Sequence, residues 1–120
     1  MNATMTGRLA GVALEDARDL FHRYARLVRG YFGERVSAIW LYGSAARGDW
    51  TAESDIDVLV LLDREETGDV EWLVTAAYQI GLQERQLLLQ PVMLTQAEFD
   101  SLVARERRFA CDVLREGLAA

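Results

Sequence analysis

Residues 36–62, VSAIWLYGSAARGDWTAESDIDVLVLL, constrain the fold more than any other part of this 120-residue chain. Two apolar runs, Val36–Tyr42 and residues 55–62, are rich in β-branched and aromatic residues and read as buried strands. Gly43-Ser44 breaks the first run. An Ala-rich turn ending in Arg47-Gly48-Asp49 follows, and then a polar loop from Trp50 to Ser54. Two strands joined this closely are expected to be neighbours in one sheet, with the turn at their shared end.

The second strand opens on two acids. Asp55 and Asp57 sit two apart in a segment otherwise made of Ile, Val and Leu. Side chains alternate along a strand, so both carboxylates point to one face, about 7 Å apart. Two anions on a half-buried face repel and are costly to desolvate. A hard divalent cation relieves both costs, and Mg²⁺ commonly brings substrate phosphates with it. The simpler alternative is a strand start whose carboxylates cap loop N–H groups.

Upstream, the turn offers a place for phosphate. Gly43 has no side chain, so backbone and ligand can approach closely. Ser44 has the chemistry of an N-cap, leaving N–H groups and a hydroxyl outward. Helix N-termini attract anions, and Arg47, one turn on, could add a fixed positive charge. A salt bridge from Arg47 to Asp49 or Glu53 is the competing reading.

Gly43-Ser44, ten intervening residues and then Asp55-Ile56-Asp57 together resemble the signature of the DNA polymerase β nucleotidyltransferase superfamily. The fuller string GSAARGDWTAESDIDVLV is similar to its minimal, stand-alone (MNT) branch, whose members are often encoded beside HEPN-domain partners. The resemblance spans about residues 12–118, and its specificity lies in residues 43–57. It implies that Asp55 and Asp57 hold Mg²⁺, two ions with the nucleotide. It also implies that Gly43 and Ser44, with help from Arg47, bind the phosphates of a nucleoside triphosphate, ATP foremost. The family's third carboxylate lies on a later strand. Here that strand is QLLLQPVML, which has no acid, and the matching position is Gln90.

The composition narrows the function classes. The length suits one domain, residues 1–120, with a single core. No apolar run approaches the ~20 residues that span a bilayer, and the first residues lack a signal-peptide pattern, so a cytoplasmic protein is expected. With one cysteine, Cys111, no internal disulfide can form, and its apolar helical position suits a small buried hydrophobe. His22 has no second His or Cys near it in sequence. The net charge is −6 and every basic residue is arginine. That excludes a P-loop or nucleophilic lysine, and such a chain is a poor general binder of nucleic acid.

Periodicity places the remaining elements. Residues 1–11 carry no pattern and are expected to fray. From Leu14 to Phe32 apolar residues recur at helical steps, opposite Arg18, Arg23, Arg26 and Arg29, with Gly33 as C-cap. The interleaved acids make the arginines read as a solvated face. A helix over residues 70–82 leaves Trp72 outside its apolar stripe. A strand over residues 86–94 contains Pro91, which suits an edge. A capping box, Thr95 with Glu98, starts one last helix over residues 96–115, stopped by Gly117. The expected fold is α/β (α+β), a small mixed β-sheet flanked by helices, as in the polymerase β-like nucleotidyltransferases.

Two functions follow. The first is a Mg²⁺-dependent transferase moving a nucleoside monophosphate to a protein or other hydroxyl acceptor, as the antitoxin of a HEPN/MNT pair. The second is an interaction partner of a HEPN-type protein with a weakened or inactive nucleotide site, motivated by Gln90. A chain this short has little surface to position a large substrate, so a partner or a homo-oligomer is expected with either.

Overall fold

The computed structural model describes the backbone of residues 2–120 and side chains from Leu14 onward. Chain order is α1 (Asn2–Phe32), β1 (Val36–Tyr42), α2 (Ser44–Arg47), β2 (Ile56–Leu62) and α3 (Asp69–Ala77). A π-helical turn (Tyr78–Gln83), β3 (Leu89–Thr95), α4 (Gln96–Ala104), α5 (Arg108–Glu116) and β4 (Leu118–Ala119) follow. The strands form one mixed sheet in the order β3-β2-β1-β4. β1 pairs antiparallel with β2 and β4, while β2 pairs parallel with β3. The expected class, a mixed sheet flanked by helices, is the observed one.

β2 explains the layering. Its residues Val58 to Leu62 are all buried, so both faces of the strand must be covered. One face, carrying Ile39, Leu41, Ile56, Val58 and Val60, meets Leu20, Phe21, Tyr24 and Val28 of α1 and Leu73 and Ala77 of α3. The other face, with Leu59 and Leu61, meets Phe99, Ala110 and Val113 of α4 and α5. Each such side chain removed from water contributes about 1.5–3 kcal/mol. Tyr24 keeps its hydroxyl satisfied inside the first layer by donating to the Leu73 carbonyl at 2.7 Å.

Several expectations change in the fold. α1 begins well before Leu14, the first residue of the apolar pattern. Its arginines are more than a solvated face. Arg23 pairs with Glu84 at 2.6 Å, Arg29 donates to the Ala120 carbonyl, and Arg18 reaches α2. Trp72 is half-buried because it stacks on Tyr31, ring centroids 4.1 Å apart, and meets Phe32 edge-on. β3 starts at Leu89 rather than residue 86, since helical turns run on to Arg85 and Gln86 adopts φ +54°.

The last helix is two helices. A straight 20-residue helix would be about 30 Å long, whereas a seven-residue strand spans roughly 23 Å. The chain instead forms two nine-residue helices, each shorter than a strand. Glu106 takes φ +54°, and the Arg107 N–H bonds the Leu102 carbonyl, closing α4 in a Schellman-type turn. Both halves then pack on the same face. Pro91 does lie on an edge strand, and the Thr95–Glu98 capping box is fully formed. Gly117 ends α5 with an ordinary φ of −71°. A Cβ there would strike the Val113 carbonyl and lie 3.0 Å from Trp40. That close approach lets β4 fold back onto β1.

The connection after β2 is tied to β1's start by charge. Arg35 donates two hydrogen bonds to the buried carboxylate of Asp69, which also accepts from the Glu66 N–H. Asp63 and Glu66 approach the same guanidinium. The Arg35 partner holds Asp69 below the usual carboxylate range, with the backbone bond from Glu66 adding to the effect.

Candidate active site

β1 and β2 end together, and their ladder closes on Tyr42 opposite Asp57. The chain turns out of β1 at Gly43, which has φ +74° and ψ −153°, a region open to essentially only glycine. Gly43 is also the residue before α2, so it takes the N-cap place expected of Ser44. Ser44 is the first helical residue instead, and no side chain caps the turn. In an α-helical first turn the N–H groups of Ser44 and Ala45 have no intrahelical partner.

Gly43 and Asp57 are in close approach. A Cβ on Gly43 would stand 2.5 Å from Asp57 Oδ2. The carboxylate therefore occupies the space that any other residue at 43 would fill. Asp55 lies just outside β2, exposed, and Asp57 inside it, half-buried. Burial and then the Asp55 charge push the Asp57 carboxyl above its usual range, with Arg47 opposing. Burial and the Asp57 charge push the Tyr42 hydroxyl up to about 12, so it stays protonated beside the acids.

The three arginine-related expectations resolve unequally. Arg47 does stand near enough to Asp57 to act on its charge. It also contacts Asp49 at 3.5 Å and Glu116 of α5 at 3.6 Å. Glu53, the other expected partner, is not among those contacts. A small cleft of about 120 Å³ is lined by Gly43, Arg47, Phe109, Asp112 and Glu116.

Gln90 faces Asp57 across the sheet. β3 runs parallel to β2 with Gln90 in register with Asp57, and side chains paired in this way share a face. The carboxamide is exposed. Among the described residues no third His, Cys, Asp or Glu gathers with Asp55 and Asp57 into a metal-ligating group.

A divalent cation fits the donor set. Asp55 and Asp57 bring two carboxylates to the start of one strand, and burial with the added Asp55 charge raises the proton affinity of Asp57, costs that a hard cation would offset.

Two supporting parts were missed in the sequence. Arg18, half-buried on α1, donates from Nε to the Ala45 carbonyl at 3.0 Å and from Nη2 to the Ala46 carbonyl at 3.2 Å. It braces α2 from behind. Its only sequence signal was a place beside the buried Ala17 and Leu20, where a purely solvated arginine is unexpected. Trp50 is buried, and its indole N–H donates to the Ser54 carbonyl at 3.0 Å. It anchors the loop that delivers Asp55. An aromatic residue in a polar loop was the available signal.

A protein of Methanocaldococcus jannaschii, named "Putative protein adenylyltransferase MJ0604", is 35% identical over 71 residues. The aligned part is 59% of this chain and 61% of that protein's length. The crystal structure of a mutant of the toxin-antitoxin pair MntA-HpeT superposes with a TM-score of 0.51 at 18% identity. It covers 82% of this chain and 70% of that chain, a likeness of fold. The model of the nucleotidyltransferase domain matches residues 25–113, about three quarters of the sequence, and runs through the turn, both aspartates and Gln90. By that match the chain belongs to the nucleotidyltransferase domain family.

Proposed function

We propose that the protein is a Mg²⁺-dependent nucleotidyltransferase that passes AMP from ATP to a hydroxyl on a protein acceptor. The observation carrying this reading is the close approach of Gly43 and Asp57 at the shared end of β1 and β2. A residue without a side chain lies against Asp57 there, which suits a triphosphate bound through its metal. The name of the Methanocaldococcus jannaschii relative supports adenylyl as the group and protein as the acceptor.

In this reading Asp55 and Asp57 hold the metal, which would supply charge neutralisation on the triphosphate. Gly43, Ser44 and the N–H of Ala45 receive the β- and γ-phosphates, and Arg47 swings from Glu116 toward them. The acceptor oxygen forms a bond to the α-phosphorus as the bond from that phosphorus to the bridging oxygen breaks. Pyrophosphate leaves, and the acceptor proton passes to water. Gln90 cannot take that proton, because an amide is no base at neutral pH.

Gln90 favours a second reading, in which the site binds nucleotide but turns over poorly and the chain acts chiefly as a partner. Its resemblance to the MNT branch, and a fold like that of the MntA-HpeT pair, make a HEPN-type protein the partner to try first. Among the described residues no helix is long and apolar enough to cross a membrane.

Calorimetric titration of MgATP into the wild type and an Asp55→Ala/Asp57→Ala double variant tests the site. Binding that needs both aspartates and the metal is expected. Equal binding by the two proteins, or none by either, would overturn it. Labelled ATP with Mg²⁺ and the candidate partner then separates the two readings by whether label is transferred.

A further inference from the structure

In a chain that is 27% charged, residues 72–83 and residues 86–97 contain no charged side chain. The fold brings these two segments together. α3 and the π-helical turn lie along β3, which is the open edge of the sheet. Val70, Val74, Tyr78 and Leu82 follow one another at four-residue steps, so they line one helix face. That face is turned away from the core, and these residues are 38–52% exposed. Leu88, Leu89, Gln90 and Pro91 form the opposite wall of a groove of about 240 Å³ with Val74 and Tyr78.

We infer that this face is where a second copy of the chain docks, forming a two-fold dimer. Charge is the first argument. Two chains of net charge −6 repel least where they meet through surface that carries no charge. A partner of opposite charge would be matched by acids on this face, and residues 72–83 and 86–97 offer none. The complementary surface must itself be apolar and uncharged, which this same face satisfies. A two-fold pairing sets one patch against itself and needs that self-compatibility.

Area is the second argument. Val70, Val74, Tyr78, Leu82 and Leu88 together present roughly 400 Å² of apolar surface, at the scale of patches that mark interfaces. Two copies bury about twice that from these side chains alone, and the uncharged Thr75, Gln79 and Gln83 around them extend the contact toward the ~1,200 Å² of a specific interface. Pro91 on the β3 edge has no N–H to offer, which disfavours strand-to-strand pairing and leaves side-chain packing as the mode of contact. Gln90 at the groove's end places this interface beside the candidate active site.

Sedimentation of the purified full chain across micromolar concentrations tests this without nucleotide, so it stands or falls apart from the catalytic reading. The wild type is expected to pass from monomer to dimer. Val74→Glu and Tyr78→Arg, each checked for native circular dichroism, should weaken association at least tenfold. Leu114→Glu, on an exposed apolar residue of α5, should not. A wild type that stays monomeric at the highest concentration, even with a face that binds an apolar dye or another protein, would overturn the inference. So would a dimer lost in Leu114→Glu but kept in both other variants.

Discussion

Gln90 stands in register with Asp57 across the parallel β2–β3 ladder, an uncharged amide beside a carboxylate whose proton affinity is already raised. Replacing it by Gln90→Asp would put a third oxygen anion on the same face. Without metal the added repulsion should lower the melting temperature by a few degrees, about 1 kcal/mol. Mg²⁺ should restore it, and AMP transfer to the acceptor should rise at least tenfold. Melting curves with and without Mg²⁺, beside a transfer assay, check both parts.

Gly43→Ala meets two obstacles at once. Its backbone occupies a glycine-only region, and its Cβ would overlap Asp57 Oδ2. The expected cost is about 1–3 kcal/mol in stability. Because Asp57 must move, MgATP affinity should fall further than stability alone explains. Chemical denaturation and calorimetry on the same preparation separate the two effects.

Arg18→Ala removes both donors to α2 and leaves the Ala45 and Ala46 carbonyls to other partners. A loss of about 1–2 kcal/mol is expected. MgATP binding should weaken several-fold, with partial recovery in Arg18→Lys, which keeps one donor. A variant that loses stability but binds MgATP normally would remove Arg18 from any part in shaping the turn.

Asp57→Asn should stabilise the metal-free protein at neutral pH. The folded carboxyl binds its proton more tightly than the unfolded one, so ionised Asp57 opposes folding at pH 7. That penalty shrinks as pH falls through the raised folded value and is gone below the ordinary value near ~3.9. The wild type and variant melting curves should therefore converge on acidification.

Asp69→Asn has the opposite sign. Its folded proton affinity is lowered by Arg35, so its contribution is fully present above ~3.9 and is lost as pH falls through the depressed value. Arg35 keeps Asp63 and Glu66 nearby, so the loss at pH 7 should be about 2 kcal/mol, below that of breaking a fully buried pair. Thermal melts at pH 7 and at pH 3 test it, with a large difference expected only at the higher pH.

Much of the molecule was legible because its signals are local. The continuous apolar run of β2 declares a strand covered on both sides, and Thr95 with Glu98 declares a helix start. The Gly43-Ser44 to Asp57 spacing follows from a short turn between paired strands. Where reading failed, the deciding contact was distant. α4 and α5 pack on one face of the sheet from either side of the turn at Glu106, which apolar spacing alone did not reveal. Strand β4 is two residues long and exists only because Gly117 allows it to lie against Trp40. Arg18 and Trp50 belong to the site through partners that periodicity does not reveal.

What the sequence determined by itself was the set of chemical groups and their order: two carboxylates at the start of one strand, a side-chain-free turn before them, and an amide on the later strand. The tertiary structure decided which of these meet. Parallel pairing of β3 with β2 set Gln90 opposite Asp57. Packing of α1 put Arg18 behind the turn, and the outer position of α3 left an uncharged face open. Local sequence sets backbone preference within a few residues, whereas these contacts join groups tens of residues apart, whose proximity arises only when both faces of β2 are buried.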